Sequence, residues 1–208
     1  MSGSMNSDDV IKLFKQHNYY LTSGQLTGYK VHTSLVRQMQ DNGLLEKVKR
    51  GLYRLPAEQI PEHERFTFDY FDAAIAVPKG VFCLTTALYY HGLSTQRPAV
   101  FDMAIPRTQR TPKLFTVSVR FHRFQEPYYS YGVEKIQTKI ATVKIYNKEK
   151  TICDAFRQRR IIGEDIAMES LNTYLKKSKK DINKLLKTAA FCKVKHIIEP
   201  VVKAMIGF

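Results

Sequence analysis

Acidic residues are scarce in this 208-residue chain. There are 19 Asp+Glu against 33 Lys+Arg, which gives a formal net charge of +14 and a pI near 9.7. Such an excess points to a polyanionic partner, nucleic acid before an anionic membrane surface. Cysteine is scarce too. Cys83, Cys153 and Cys192 are far apart, odd in number and without a C-x-x-C spacing, which excludes a disulfide framework and suits a reduced, cytoplasmic interior. His17, His32, His63, His91, His122 and His196 show no ligand spacing with each other or with cysteine, so no metal is implied. The longest mostly apolar stretch, residues 81–93, is broken by threonines and a histidine and is too short to span a bilayer. No charged-then-apolar signal opens the chain, and residues 1–4, ahead of a second methionine at Met5, read as an appended tag.

A P-loop, a G-x-G-x-x-G turn and paired catalytic carboxylates are also missing, so no cofactor and no catalytic residue is assigned. Ser94 and Thr95 follow His91 in sequence, but no third group orients the histidine and no G-x-S-x-G elbow surrounds the serine. Cys153, beside Asp154, reads as a packing residue on a helix face rather than a thiol nucleophile. Glu164 and Asp165 stand at a helix start, where carboxylates complement the dipole. Tyr89, Tyr90, Tyr128, Tyr129 and Tyr131 read as packing residues before they read as a base-stacking platform.

The most informative stretch is residues 22–55, TSGQLTGYKVHTSLVRQMQDNGLLEKVKRGLYRL. It predicts a helix over 23–26, a turn containing Gly28, and a second helix over 32–42 stopped by Gly43. Strands over 45–48 and 52–55 follow, joined at a cationic tip by Lys49, Arg50 and Gly51. Within the second helix Val36 and Met39, with Leu35 beside them, share one face, which leaves Ser34, Arg37 and Gln38 pointing outward. Arginine reads guanine edges, glutamine reads adenine, and a hydroxyl serves a base or a phosphate. This is a winged helix-turn-helix whose expected partner is double-stranded DNA. Asp41 would repel phosphate, so the C-terminal end of the helix is expected to leave the groove. Lys47 and Arg54 on the two strands belong to the same expected DNA-facing set.

Ahead of this unit, Asp8 and Asp9 start a helix through about Gln16 with Val10, Leu13 and Phe14 on one face, and residues 19–21 form a small strand. Pro56 and Pro61 flank the connector AEQI, taken as the boundary between a winged domain over 5–60 and a second domain over 62–208. The second is α+β. Helices are expected over 66–76 and 85–91, strands over 101–105, 117–121, 133–137 and 140–146, and helices from Glu149 to the end. The tail is the most basic part: residues 148–208 carry 14 Lys+Arg against 7 Asp+Glu, while residues 1–60 carry 8 against 5. Arg157, Arg159, Arg160 and Lys176, Lys177, Lys179, Lys180 lie at predicted helix ends and exceed what helix dipoles call for. Together they suggest a second polyanion-binding surface for flanking DNA, RNA or nucleotide.

Four strings together, LLEKVKRGLYRLP, LTTALYYHGLS, DMAIPRTQRTP and TVKIYNKEKTICDAFRQRRIIGEDIAMESL, resemble the AbiEi-type antitoxins of bacterial type IV toxin-antitoxin systems. The resemblance covers nearly the whole chain from about Val10. It implies a winged domain that represses its own operon, and a C-terminal antitoxin domain that counteracts a nucleotidyltransferase toxin without a stable complex, as part of abortive infection by phage. Carried onto this sequence, it places Thr33, Ser34, Arg37 and Gln38 of the helix and Lys49, Arg50 and Tyr53 of the wing against DNA. It assigns no catalytic residue. Two rival readings stay open: a nucleic-acid-processing enzyme with a winged docking module, which lacks carboxylates to hold magnesium, and a repressor that responds to a small ligand.

Overall fold

The computed structural model describes residues 5–59 and 68–207. The described residues divide into two compact units. One comprises those up to Pro78 together with Thr111–Ser118 and Gln137–Val143, and the other comprises Lys79–Arg110, Val119–Ile136 and the chain from Lys144 on.

The first unit begins with helix α1, Ser7–Gln16. Asn6 caps it, accepting from the Asp9 N–H while the Asp9 side chain returns to the Asn6 N–H. Val10, Leu13 and Phe14 are buried, as their spacing predicts. Strand β1, Tyr20–Thr22, runs straight into α2, Ser23–Gly28, because Thr22 and Gln25 form a second capping box. Gly28 ends α2 rather than sitting in the following turn. Helix α3, Thr33–Asp41, buries Val36 and Met39, and Gly43 leaves it at φ +70°, a region that costs glycine little. Strands β2, Glu46–Lys49, and β3, Leu52–Arg54, form the hairpin, and the sheet order is β1-β3-β2 with both pairings antiparallel. Leu45, Val48, Leu52 and Leu55 close the core beneath it.

A short 3-10 turn, Ala57–Gln59, occupies the expected connector, whose last residues, Ile60 and Pro61, lie outside the described residues. So does the expected helix start at Phe66; α4 is described over Phe68–Ala76. Its Asp72 is buried and accepts from the Tyr20 hydroxyl at 2.5 Å and from the Arg54 Nε–H at 3.1 Å. Composition places the boundary near Pro61, whereas the compact units part after Pro78.

The second sheet comprises strands β4, Val81–Phe82, β5, Phe101–Pro106, β6, Val119–Phe124, β7, Val133–Gln137, and β8, Thr142–Tyr146, all within the second unit except Gln137, Thr142 and Val143. Their order is β6-β5-β4-β8-β7, with β5 antiparallel to β4 and parallel to β6, and β4 parallel to β8. The central strand is thus a two-residue piece of the apolar stretch that alternation cannot reveal. Strand β6 starts at Val119 and runs to Phe124, later than its alternation suggests. Helix α5, Leu84–Tyr90, follows β4, and α6, Lys148–Arg157, follows β8. Then come α7, Arg159–Ile162, α8, Glu164–Lys176, α9, Ile182–Phe191, capped by Asp181, and α10, Lys195–Ile206. Leu84, Leu88, Ile152, Phe156, Leu171, Leu185 and Ile198 lie in one core. The architecture is α+β, as the patterning predicts.

Candidate nucleic-acid interface

Helix α3 owes its start to His32, whose Nδ1 accepts from the Ser34 N–H at 3.3 Å and lies 2.6 Å from the Ser34 hydroxyl. Imidazole therefore does the work of the small oxygen-bearing residues usual at this position. The same contact holds the Ser34 hydroxyl at the cap. Thr33, Arg37 and Gln38 are exposed beside it. A groove of about 390 Å³ runs between α2, α3 and β3, lined among others by Ser23, Thr27, Thr33, Arg37, Gln40 and Tyr53. Asp41 also lines it, so a carboxylate marks the end of α3 where phosphate is unwelcome.

The wing residues divide by burial. Arg50 is exposed at the tip, while Lys47 and Tyr53 face each other across β2 and β3 and are half-buried. Lys49 is not a free cation: its Nζ donates to the Ala76 carbonyl at 2.6 Å, and burial lowers its pKa from the ordinary lysine value. Arg54 departs from the expected DNA-facing set. It is only 7% exposed, with its guanidinium held by Asp72 at 3.1 Å, Glu46 at 2.8 Å and the Leu55 carbonyl at 2.9 Å. The reason lies in the strand: Leu52 and Arg54 share the inward face and Tyr53 takes the outward one.

One part of this unit escapes local sequence reading. The Phe115 N–H donates to the Val48 carbonyl at 2.9 Å, and Leu114 bridges Lys49, so residues 114–115 lie along the outer edge of β2. Nothing in the local pattern of TPKLFT marks this pairing.

Residues 8–56 match the family model described as transcriptional regulator, AbiEi antitoxin. The N-terminal region is thus similar to AbiEi antitoxin transcriptional regulators. The match spans the winged helix-turn-helix, ends at Pro56, and agrees with the resemblance read from the sequence. Among solved structures, the RV2827C protein from Mycobacterium tuberculosis shares the fold, with a TM-score of 0.62 over 91% of this chain and 74% of that one, at 11% identity. Comparison with curated proteins gives no match.

In the second unit the residues of the expected basic surface fall in two groups along the chain. Arg157 and Arg160 are exposed ahead of α8, and Lys176, Lys179 and Lys180 are exposed at and beyond its far end. Twelve residues of α8, Glu164–Leu175, stand between the clusters, about 18 Å at 1.5 Å per residue. Arg159 is half-buried and donates to the Phe156 carbonyl at 2.9 Å, and Lys177 donates to the His91 carbonyl at 2.7 Å. Arg157 lies over the Tyr128 ring at 4.4 Å.

The residues weighed for catalysis are engaged in the fold. The His91 Nε2–H donates to the Tyr146 carbonyl at 2.7 Å, and burial lowers the His91 pKa despite that bond. The Ser94 hydroxyl donates to Glu169 at 3.2 Å. Cys153 is buried, as are Cys83 and Cys192. Lys150 and Asp154 form a wholly buried pair, with the ammonium 4.4 Å from the centre of the Tyr146 ring. Burial raises the Asp154 pKa, and Lys150 opposes that shift. Asp102 is also buried. Burial pushes its carboxyl up, but hydrogen bonds from His122 and Thr85 and the nearby charge of Arg120 leave it below the ordinary value. A cavity of about 270 Å³ nearby is lined in part by Thr85, Ser94, Gln96, Arg97 and Arg120. Among the described residues no helix is long and apolar enough to cross a membrane, and no cluster of His, Cys, Asp and Glu is placed to hold a metal ion.

Proposed function

We propose that this protein is a cytoplasmic autorepressor and antitoxin of a type IV toxin-antitoxin system. Its winged unit binds duplex DNA upstream of its own operon, and its second unit counteracts a nucleotidyltransferase toxin encoded beside it, in defence against phage. The observation that carries the reading is the outward face of α3, where Thr33, Arg37 and Gln38 stand exposed next to the groove and the wing. The family match over residues 8–56 supports the regulatory half. The antagonism proceeds without a stable complex, through contacts of the basic second unit with RNA or nucleotide, and involves no catalysis by this chain.

The test joins a binding assay to a growth assay. Arg37→Ala should weaken binding to the operator by about 1–3 kcal/mol and leave random duplex untouched. Equal loss on both DNAs removes Arg37 from base reading. Co-expression with the neighbouring nucleotidyltransferase should restore growth, and absence of rescue rejects the antitoxin half. A ligand-responsive repressor is the second reading, favoured by the cavity beside Arg97 and Arg120. A small anion that shifts operator affinity would select it.

A further inference from the structure

The wing sheet has a fourth, borrowed edge. Strand β2 would otherwise present a free row of backbone groups, but residues 114–115 pair with it through the Leu114 bridge and the bond from the Phe115 N–H to Val48. This brings Phe115, 53% exposed, beside two lysines: Lys47 Nζ lies 5.7 Å and Lys113 Nζ 5.6 Å from its ring centre. A large aromatic ring left open to water and clasped by two cations is unusual for packing, because it buries little apolar surface and concentrates positive charge.

Its position relative to α3 gives it meaning. Arg37 and Tyr53 line one groove, Tyr53 faces Lys47 across the hairpin, and Lys47 reaches Phe115. The outward face of the sheet therefore carries an unbroken stripe from the reading helix to Lys113. Two strand spacings separate β3 from residues 114–115, so the stripe extends about 10 Å past Tyr53. Arg54 contributes nothing to it, since it points inward.

We infer that Lys113 and Phe115, with Lys47, form an extension of the wing that binds the backbone and groove edge of duplex DNA flanking the site read by α3. The inference rests on the proposed DNA-binding function and names further contacts of that same surface. The lysines pair with phosphates, and the ring packs on the sugar edge of the minor groove, where apolar side chains commonly seat. Duplex DNA is the occupant that both the charge and the continuity with α3 require. A second copy of this basic chain would meet like charge here.

The sequence contains no tryptophan, so Phe115→Trp supplies a single reporter. Titration of full-length Phe115→Trp protein with a duplex of its own upstream region should quench or shift the indole emission along the binding curve. Phe115→Ala should weaken that binding about tenfold, the factor expected when part of a phenyl ring loses its buried surface. Lys47→Gln with Lys113→Gln should flatten the salt dependence of log K by up to about 0.9 for each phosphate left without its lysine. None of the three positions is buried, and a circular dichroism melt matching the unaltered chain secures the comparison. Binding without an emission change, and with affinity and salt slope unaltered in the variants, overturns this inference and leaves the α3 reading standing. No binding by the unaltered chain overturns both. A dimer in sedimentation that Phe115→Ala abolishes would assign the ring to self-association and overturn the DNA contact.

Discussion

Arg54 Nε lies 3.1 Å from the carboxylate of Asp72, a side chain that is 1% exposed. The Tyr20 hydroxyl donates to the same carboxylate at 2.5 Å, so a single acid on α4 satisfies two donors from the winged sheet. Removing it leaves a guanidinium with only the half-exposed Glu46 as its charged partner. Asp72→Ala should therefore destabilise the first unit by about 3 kcal/mol, the cost of uncoupling a buried pair. The double change Arg54→Met with Asp72→Leu should cost less than the single one, because no charge is stranded. Chemical denaturation of the three variants measures this, and a double variant no more stable than Asp72→Ala would show that the pair is not what the region depends on.

Two adjacent cations at the wing tip should behave differently. Arg50 is exposed, whereas Lys49 spends its ammonium on the Ala76 carbonyl. Arg50→Gln should flatten the salt dependence of DNA binding by up to about 0.9 and leave stability almost unchanged. Lys49→Gln should lower the melting temperature and leave the salt slope alone. The reverse pattern would mean that Lys49 swings out to phosphate in the complex.

Stability of the second unit should carry a histidine signature. Burial lowers the folded His91 pKa below its ordinary 6.5, so between that value and the lower folded one the unfolded chain binds the proton and the folded chain does not. Its contribution is complete above pH 6.5 and declines as pH falls below it. His91→Gln, which keeps a donor for the Tyr146 carbonyl, should flatten that part of the stability-against-pH curve. An unchanged slope would assign the acid sensitivity to other groups.

The two basic clusters of the second unit give a separable pair of outcomes. Changing Lys176, Lys179 and Lys180 to glutamine should reduce growth rescue from the toxin while operator binding by the winged unit stays unaltered. Arg157 and Arg160, about 18 Å away along α8, should act additively with that set, since sites more than about 10 Å apart rarely couple. Lys177 is left in place because it supports the His91 carbonyl. Full rescue by the triple glutamine variant would exclude these three lysines from the mechanism.

Local chemistry was enough to read helix α3 and the hairpin from the sequence by itself: the 3.6-residue spacing of Val36 and Met39, Gly43 at a positive φ, and the two short strands joined at Arg50 and Gly51 are all decided within a few residues. The Asp181 cap and the α+β character of the second half are legible for the same reason, whereas α1 starts at Ser7 under an Asn6 cap, ahead of the expected Asp8. Tertiary structure alone decided which cations are free. Arg50 and Arg54 look alike in KRGLYRL, yet β3 turns Arg54 inward onto Asp72, a residue of another helix. Phe115 became part of the wing only because Leu114 and Phe115 pair with β2 across a wide sequence gap. The two-residue strand β4 is central because β5 and β8 both hydrogen-bond to it, and no periodicity exists in so short a piece. Short-range propensity depends on a residue and its near neighbours, whereas burial, ion pairing and strand order depend on which distant segments meet, and that is set by the packing of the whole chain.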